Sequence, residues 1–552
     1  MLELWHGEWL ETPRPHPVDG AAEIEVEATA PILPFGEAHG REFGSPLRKV
    51  VSFTITDGPA ATLRKVRSKR AEDAFTGDYH LVLILGHLGG DEERRVIVLA
   101  ARAPRCAGWM LAPESLVRDA PDGPEGDALL RSAASKLRAI ASRLGDHARQ
   151  SYLYSEMQPP PELGAALDDA TREDDASTRT AARASTEIIR PPAGAAGEIG
   201  ELLRSPVAAP VPNTPALAIL GAGDYVRIEV APALGDAKLR RGIVVDREPQ
   251  IAALAAHRLG FAAAGTNAEA AIDAILGRGL VVVATAHDSH ARLAARALDA
   301  GHRVFCEKPA IVTPSDLDLL TAAAERNPGE LEVGFNRRWN PLVERARREV
   351  AKGSGPTTMI ATIREVDITP DHWYLWPNQG TRVAGNLCHW IDLALHLMGP
   401  GPEPVAVNVS PRVSDEPIGI DAERTFTISF DDGSSVTLLP TARGDSVRGV
   451  QEQIEVRRGP LTLRLDDLWR LHGLRGGRTL RGRTLWRDKG HACMYEAAVA
   501  RFEAGESAAY PLDDLRRGGE VQLAATELLH EGTMGGAVAD LVAAAREREI
   551  GA

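Results

Sequence analysis

The stretch Ile219–Val226 reads Ile-Leu-Gly-Ala-Gly-Asp-Tyr-Val, and it decides the fold expected for the middle of this 552-residue chain. An apolar run ends in a Gly-x-Gly turn, and a helical pattern follows the turn. The first glycine of such a turn permits its tight bend, and the second lets the backbone approach a pyrophosphate at the helix N-terminus. The stretch therefore predicts a dinucleotide site whose contacts are Gly221, Gly223, Asp224, Tyr225 and Val226.

The next strand-like run carries a residue that suits the ribose of a dinucleotide. Asp246 ends this run, about 20 residues after the turn, where an acid can hold a ribose 2′-hydroxyl. Its neighbour Arg247 could instead meet a 2′-phosphate, so NAD is favoured and NADP stays open. Val226 replaces the third glycine of the full fingerprint, and an ordinary strand–turn–helix junction is the alternative.

Strand-like and helical runs alternate on both sides of this turn, which is typical of a parallel, doubly wound sheet. The runs lie at residues 217–220, 242–246, 279–284 and 303–306. After about residue 331 the order changes, and further strand-like runs indicate a mostly antiparallel sheet. They lie at residues 357–366, 405–410, 424–430, 434–439, 453–457 and 461–465.

The beginning of the chain has a different pattern. Residues 1–155 predict a separate α+β domain of unknown role, with strand-like runs at 22–30, 50–56, 80–85 and 95–100 and a helix near 128–144. Residues 156–213 are rich in proline and alanine and predict a linker. A cofactor domain over 214–333 and a substrate and oligomerisation domain over 334–552 complete the predicted organisation.

The composition limits the classes of function. A net charge of −14 argues against nucleic-acid binding as the main role. No run of about 18 apolar residues predicts a membrane span, and the acidic N-terminus does not fit a signal peptide. The four cysteines are widely separated, which predicts neither a disulfide framework nor a metal site. We expect a cytoplasmic protein.

A second stretch, Gly301–Pro309, carries candidate chemistry. A strand-like end runs directly into Glu307, Lys308 and Pro309, at the edge of a parallel sheet where such folds bind ligands. Arginine predominates among the basic residues of this chain, and only an amine suits a site where a pKa must move. Lys308 is therefore a candidate catalytic residue, and an exposed lysine at a helix start is the alternative.

A predicted helix from Gly385 places His389, Asp392 and His396 on one side. The helix dipole biases a first-turn histidine towards the neutral imidazole, which is the form that a general base needs. His389 is thus a candidate acid/base with Asp392 in support, and a packed polar pair is the alternative. We expect His396 to be structural.

Together these motifs resemble the glucose–fructose oxidoreductase/inositol dehydrogenase (Gfo/Idh/MocA) family over about residues 214–530. The likeness is strongest to the C-terminal half of two-domain members of the family. Residues 1–213 of this chain do not match the first module of those members. It rests on the glycine turn, Thr285 with His290, Glu307–Pro309, Gly334–Arg338, Gly385–Leu393 and Asp488–His491. It implies an α/β Rossmann domain followed by an α+β domain with an open, mostly antiparallel sheet.

The resemblance also implies residue roles. Lys308 and His389 would be catalytic, and the other implied positions are Thr285 and His290 beside the nicotinamide, Glu307 and Pro309 in the turn, and Arg337 and Arg338 towards cofactor and substrate, respectively. Trp373, Arg382 and Asn386 are candidate substrate contacts, although Trp373 could simply pack. Two departures narrow the analogy: Gly385 stands where many members have an aspartate four residues before the acid/base, and Thr381 replaces a glycine.

These features predict an NAD(P)-dependent oxidoreductase that moves a hydride between nicotinamide and a secondary alcohol of a sugar, sugar nucleotide or cyclitol. A redox-neutral enzyme with tightly bound NAD and a catalytically silent NAD-binding protein are the alternatives. Arg337, Arg338 and Arg382 suit a phosphate or carboxylate, and solvated surface arginines are the alternative. By analogy we expect a small-molecule ligand and a homo-oligomer, without nucleic-acid or membrane partners.

Overall fold

The computed structural model describes the chain in segments that form two compact units. One unit draws on residues 1–34, 71–212 and 241–274, and the other on residues 35–70, 213–240 and 275–552. The described segments are residues 22–31, 78–88, 94–102, 117–138, 161–172, 216–223, 225–234, 239–246, 259–265, 267–275, 277–365, 379–412, 423–444 and 449–551, with a few single residues between them. No described helix combines the length and the hydropathy that crossing a bilayer requires.

The N-terminal sheet has four antiparallel strands in the order β1-β2-β3-β4. The strands are β1 (Ala22–Pro31), β2 (Asp78–Leu88), β3 (Arg94–Arg102) and β4 (Val117–Asp119). Helix α1 (Pro124–Arg138) buries an apolar stripe at helical spacing, formed by Leu130, Ala133, Ala134 and Leu137. Helix α2 (Pro161–Thr171) lies within the predicted linker and buries Leu167 and Ala170.

One predicted strand of this region is wrong. Residues 50, 51 and 54 are helical, although the run 50–56 alternates like a strand. The Thr54 hydroxyl donates to the Val50 carbonyl at 2.7 Å, a contact that β-branched threonine makes within helices. The runs at 22–30, 80–85 and 95–100 are strands as predicted.

A second sheet has six strands in the order β10-β9-β8-β5-β6-β7, the order of a doubly wound dinucleotide-binding fold. Its strands are β5 (Ala216–Leu220), β6 (Arg240–Val245), β7 (Ala263–Gly265), β8 (Leu280–Val283), β9 (Arg303–Cys306) and β10 (Leu331–Val333). Each of the pairs β5/β8, β8/β9, β9/β10 and β6/β7 is parallel. Strands β5, β8 and β9 are buried throughout, as expected for a sheet covered on both faces.

Helices connect these strands. They are α3 (Ala231–Ala233), α4 (Ala268–Asp273), α5 (His287–Asp299) and α6 (Pro314–Arg326). Helix α6 begins at a capping box in which Thr313 and Asp316 satisfy each other's backbone N–H groups. The predicted Rossmann domain is therefore confirmed.

The third sheet has nine strands in the order β18-β17-β16-β15-β11-β14-β13-β12-β19. Only the β11/β14 pair is parallel among its described pairs, so the sheet is mostly antiparallel as predicted. Its strands are β11 (Thr357–Arg364), β12 (Pro404–Val409), β13 (Phe426–Phe430), β14 (Ser435–Thr441), β15 (Gln451–Arg458), β16 (Leu461–Asp466), β17 (Arg470–Arg475), β18 (Arg478–Arg483) and β19 (Gly535–Ala537).

The third sheet alternates buried and exposed residues, and its buried face packs against helices. Along β11, Met359, Ala361 and Ile363 are buried while the residues between them are exposed. The accompanying helices are α7 (Pro341–Ala351), α8 (Cys388–Met398), α9 (His491–Ala504), α10 (Leu512–Glu531) and α11 (Val538–Gly551). Apolar residues of α7, α8 and α10 share one core with the sheet, which gives the start of α8 a rigid base.

Candidate active site

The glycine turn after β5 fits a dinucleotide. Gly221 has φ +91°, and a Cβ atom there would lie 2.2 Å from the Ala284 carbonyl oxygen, so only glycine is tolerated. A Cβ atom on Gly223 would meet no atom within 4 Å, so this side of the turn is open. The first glycine closes the turn and the second leaves room for a pyrophosphate, which is the division of roles expected for this cofactor.

The helix that follows the turn begins unusually. Residues Val226–Val230 form a π-helical turn that continues into α3. Val226, at the position of the fingerprint's third glycine, is buried at the start of this turn. Asp246 directly follows β6, and its ribose role stays a prediction. Asp224, Arg247 and Trp373 lie outside the described residues.

His290 connects the end of β8 to the turn after β9. Its Nδ1 lies 2.8 Å from the Pro309 carbonyl oxygen, and its Nε2 lies 3.0 Å from that of Thr285. The ring is buried, and burial lowers its pKa, so the neutral form predominates and donates its one N–H to one of the two carbonyls. The Thr285 hydroxyl lies 2.7 Å from the Ser289 hydroxyl. Thr285 and His290 therefore brace the turn that carries Lys308.

The Glu307–Pro309 turn directly follows β9 and carries the side-chain amine of Lys308. Lys308 Nζ donates to the Gly385 carbonyl at 2.8 Å. Glu307 points inward, where the Tyr495 hydroxyl donates to its Oε1, and burial raises its pKa to about 7. A Cβ atom on Gly334 would lie 2.8 Å from both carboxylate oxygens, so this glycine makes room for Glu307.

His389 lies in the first turn of α8, four residues after the carbonyl that holds Lys308. Burial and the nearby cations Arg337 and Lys308 lower its pKa well below the ordinary value, so the imidazole is uncharged. Its Nδ1 is buried without a hydrogen-bond partner among the described residues. The Lys308 amine thus contacts the segment that leads into the helix of His389, and the catalytic roles of both residues stay predictions.

Asp392 does not support His389 in the way the spacing suggests. Arg338 donates two hydrogen bonds of 2.6 and 2.8 Å to the Asp392 carboxylate and a third of 2.7 Å to Asp514. Its guanidinium lies over the ring of Tyr510, whose hydroxyl donates to Asp392 at 3.0 Å. This buried network corrects two predictions. Arg338 binds two acids inside the domain instead of contacting the substrate. Asp392 pairs with Arg338 instead of supporting His389.

The other predicted arginines are also paired with buried acids. Arg337 Nε donates to Glu452 at 2.8 Å, and its guanidinium lies 4.4 Å from the centre of the Trp390 ring. Arg382 donates to Glu365 at 3.2 Å. We therefore assign Arg337 to the interior of the sheet domain instead of to the cofactor. The pairings also remove the reason for assigning these arginines to an acidic substrate.

Asn386 donates to the same Glu365 at 2.7 Å, next to the carbonyl that holds Lys308. Glu365 is fully buried directly after β11, and its Oε1 has no partner among the described residues. Sequence reasoning missed this acid because it stands at the end of an apolar run. Its position near the end of the predicted strand 357–366 was the one available signal.

The late motif Asp488–His491 packs against the Gly334–Arg338 motif. Asn336 Nδ2 donates to the Lys489 carbonyl at 2.7 Å, and a Cβ atom on Gly490 would lie 2.3 Å from the Asn336 carbonyl oxygen. Burial lowers the pKa of Lys489 to about 8. Tyr495 follows one helical turn after His491, a spacing that could have identified it.

Comparisons with known proteins agree with this geometry. A model of an oxidoreductase family with an NAD-binding Rossmann fold matches residues 216–335. Inositol 2-dehydrogenase of Rhizobium meliloti (strain 1021) is 30% identical over 203 residues, which is 36% of this chain and 60% of that protein. D-apiose dehydrogenase of Paraburkholderia graminis is 29% identical over 206 residues, which is 36% of this chain and 54% of that protein.

A solved levoglucosan dehydrogenase in complex with NADH superposes with a TM-score of 0.51 at 18% identity, covering 59% of this chain and 99% of that one. At this identity the likeness shows the fold alone. The alignments to the two curated dehydrogenases span 60% and 54% of their lengths, less than two thirds in each case.

Proposed function

We propose that the chain is an NAD(P)-dependent oxidoreductase of the Gfo/Idh/MocA type, acting on a secondary alcohol of a sugar, sugar nucleotide or cyclitol; the match of residues 216–335 to an oxidoreductase family model supports this proposal. The observation that carries the proposal is the 2.8 Å contact of Lys308 Nζ with Gly385, on the segment that leads to His389. The resemblance to inositol and D-apiose dehydrogenases supports a polyhydroxylated substrate.

The cofactor, when bound, supplies a nicotinamide ring that accepts or returns a hydride. Gly221 and Gly223 would hold its pyrophosphate, because one closes the turn and the other leaves open space. Asp246 would hold the adenosine ribose, which favours NAD over NADP. Thr285 and Pro309 would border the nicotinamide side through the brace that His290 makes between them.

At the substrate hydroxyl, His389 would transfer the proton and Lys308 would stabilise the negative charge. The uncharged imidazole of His389 takes the hydroxyl proton during oxidation and returns it during reduction. The Lys308 ammonium, oriented by the Gly385 carbonyl, donates a hydrogen bond to the same oxygen and stabilises the negative charge that develops there. Glu307, Gly334 and Tyr495 fix the Lys308 turn from behind.

A neutral sugar or cyclitol is favoured over an acidic one within this class. Arg337 and Arg338 would have supplied positive charge to a phosphate or carboxylate, but Glu452 and Asp392 already pair with them inside the domain. A buried guanidinium whose N–H groups already donate to carboxylates has few donors left for a substrate anion. Glu365 Oε1 instead offers an acceptor of the kind that a substrate hydroxyl satisfies.

Single-residue variants test the assignment once a substrate is found by screening cyclitols and free sugars for NADH formation. Lys308→Ala and His389→Ala should each lower kcat by about 10²–10⁴, the typical contribution of acid/base catalysis, while NADH binding changes little. Lys352→Ala removes an exposed amine at the end of α7 and serves as the control with normal turnover. Near-normal turnover by either active-site variant would rule out this mechanism.

A further inference from the structure

Three groups form a hydrogen-bonded chain behind the cofactor turn. The hydroxyl of Tyr495, on α9, lies 3.1 Å from the hydroxyl of Tyr225 and also contacts Glu307 Oε1. Tyr225 is the second residue after Gly223 and is 36% exposed, whereas Tyr495 and Glu307 are buried. The chain therefore runs from the glycine turn to the residue that precedes Lys308.

The direction of these hydrogen bonds depends on the charge of Glu307. An ionised carboxylate only accepts, so it draws the hydroxyl hydrogens of the two tyrosines towards itself. A protonated carboxyl has a hydrogen of its own and can donate it to Tyr495. Tyr495 then donates to Tyr225, and the Tyr225 hydrogen, no longer drawn towards the carboxylate, becomes available to another acceptor.

We propose that Tyr495 is a positioning residue of the cofactor site and that protonation of Glu307, relayed through Tyr495, turns Tyr225 into a hydrogen-bond donor at the dinucleotide turn. The inference rests on the proposed function, because it requires a dinucleotide in this turn. A phosphate oxygen is an acceptor without hydrogens, so the protonated state of the chain suits the cofactor better.

The surroundings of Glu307 allow both charge states near neutral pH. Burial raises its pKa to about 7, and the charge of Lys308 and the hydrogen bonds from Tyr495, from the Lys308 backbone and from Tyr225 oppose that rise. The titratable groups that face it are Cys306 and Lys308 on its own turn, Tyr495 on α9 and Tyr225 on the glycine turn. His491, also on α9, lies 6.0 Å from Tyr225 between ring centres.

The sign of the pH effect follows from linkage. A ligand that prefers the protonated chain raises the pKa of Glu307 when it binds, so its affinity falls as the pH rises through the pKa of the unliganded protein. A rise of one unit on binding corresponds to about a tenfold change in affinity. The affinity for NADH should therefore weaken by about fivefold between about pH 6 and about pH 8, which is part of the full tenfold change.

Fluorescence titration of the full-length protein with NADH over this pH range tests the proposal. The wild type should show the inflection near pH 7, whereas Glu307→Gln, which cannot ionise, and Tyr495→Phe, which cannot relay, should both bind NADH with a flat pH profile. Each substitution is nearly isosteric, and thermal unfolding of each variant without ligand reports whether the fold is retained.

Two controls separate the chain from its neighbours. Histidine ordinarily titrates near neutrality, so His491 is the alternative source of an inflection near pH 7. If Glu307 is the source, His491→Asn should keep the inflection. Tyr510→Phe removes another buried hydroxyl, one that donates to Asp392, and should keep it too. A flat wild-type profile, an inflection that survives in Glu307→Gln or Tyr495→Phe, or one that disappears in His491→Asn or Tyr510→Phe overturns the relay alone. Absence of NADH binding by the wild type overturns the relay and the proposed function together.

Discussion

Gly221 and Gly223 lie two residues apart and face different surroundings. A side chain on Gly221 would enter the backbone at the end of β8, whereas a side chain on Gly223 would enter empty space. The first glycine is therefore required by the protein itself, and the second only by a ligand that comes close to the backbone.

The pair Gly221→Ala and Gly223→Ala tests this difference. Gly221→Ala should unfold at a lower temperature, with a loss of at least about 1–2 kcal/mol from the left-handed backbone alone. Gly223→Ala should retain the thermal stability of the wild type but bind NADH at least about tenfold more weakly, because its methyl group occupies the open side of the turn. Equal loss of stability in both variants would contradict the division of roles.

At the residue scale, the sequence predicted the positions of those residues whose role depends on their neighbours along the chain. Lys308 and Gly221 belong to short motifs with a mechanism, so their positions were predictable. The partners of Arg338 were not, because Asp392 and Asp514 lie 54 and 176 residues away in sequence. A pattern of charges does not reveal which acid an arginine meets after folding.

At the scale of elements, one arginine joins the 3₁₀ turn Asn336–Trp339 to helices α8 and α10. Arg338 binds Asp392 of α8 and Asp514 of α10, and all three side chains are buried. Removing one partner of a buried ion pair leaves the remaining charge without compensation, which is costly. The network therefore holds the helix of His389 against its neighbour.

Arg338→Met should lower the free energy of unfolding by about 3–5 kcal/mol, measured by urea denaturation. Arg347→Met is the matched control, because its ion pair with Glu344 on α7 is largely exposed and should contribute only about 0.5 kcal/mol. A loss in Arg338→Met as small as that of the control would show that the network adds little to stability.

Most elements of the parallel sheet were predictable, because apolar runs and helical patterns alternate there at regular spacing. Strands β17 and β18 were not predicted. They are rich in arginine, and few of their residues are buried, among them Leu471 and Leu480, so their sequence resembles a solvated loop. They are strands because they extend an existing sheet, in which the backbone of β16 supplies the partners. The π turn after Gly223 also lacks a signal in the sequence.

At the scale of the whole molecule, the balance of buried titratable groups sets the response to acid. His290, His389 and His396 all have lowered pKa values, chiefly through burial, and that of His396 falls to about 2. Each takes up a proton on unfolding once the pH falls below the ordinary histidine pKa of about 6.5. Glu307 acts in the opposite sense, because its raised pKa makes the folded state bind the proton between about pH 4.5 and about 7.

The three histidines outweigh Glu307 in this range, so we predict that the folded state loses stability as the pH falls from about 7 to about 5.5. Glu332 and Asp392, two further buried acids with raised pKa values, oppose part of this loss. Each unopposed histidine contributes up to about 1.4 kcal/mol per pH unit, so the total loss should be on the order of 1–3 kcal/mol. Urea denaturation at several pH values measures the slope. His396→Asn should flatten it, and a stability that rises towards pH 5.5 would contradict the assignment of neutral buried histidines.

Glu452 of β15 receives hydrogen bonds from Arg337 and from the indole of Trp390, and its own side chain is fully buried. Those two donors flank His389 in the fold, one in the 3₁₀ turn and one as its neighbour in sequence. A saturation mutagenesis screen scored on activity will therefore rank position 452 as intolerant as positions 308 and 389. Substitutions at position 452 will reduce activity by lowering the amount of folded protein. Only a separate measurement of protein abundance will distinguish this structural effect from the loss of a catalytic residue.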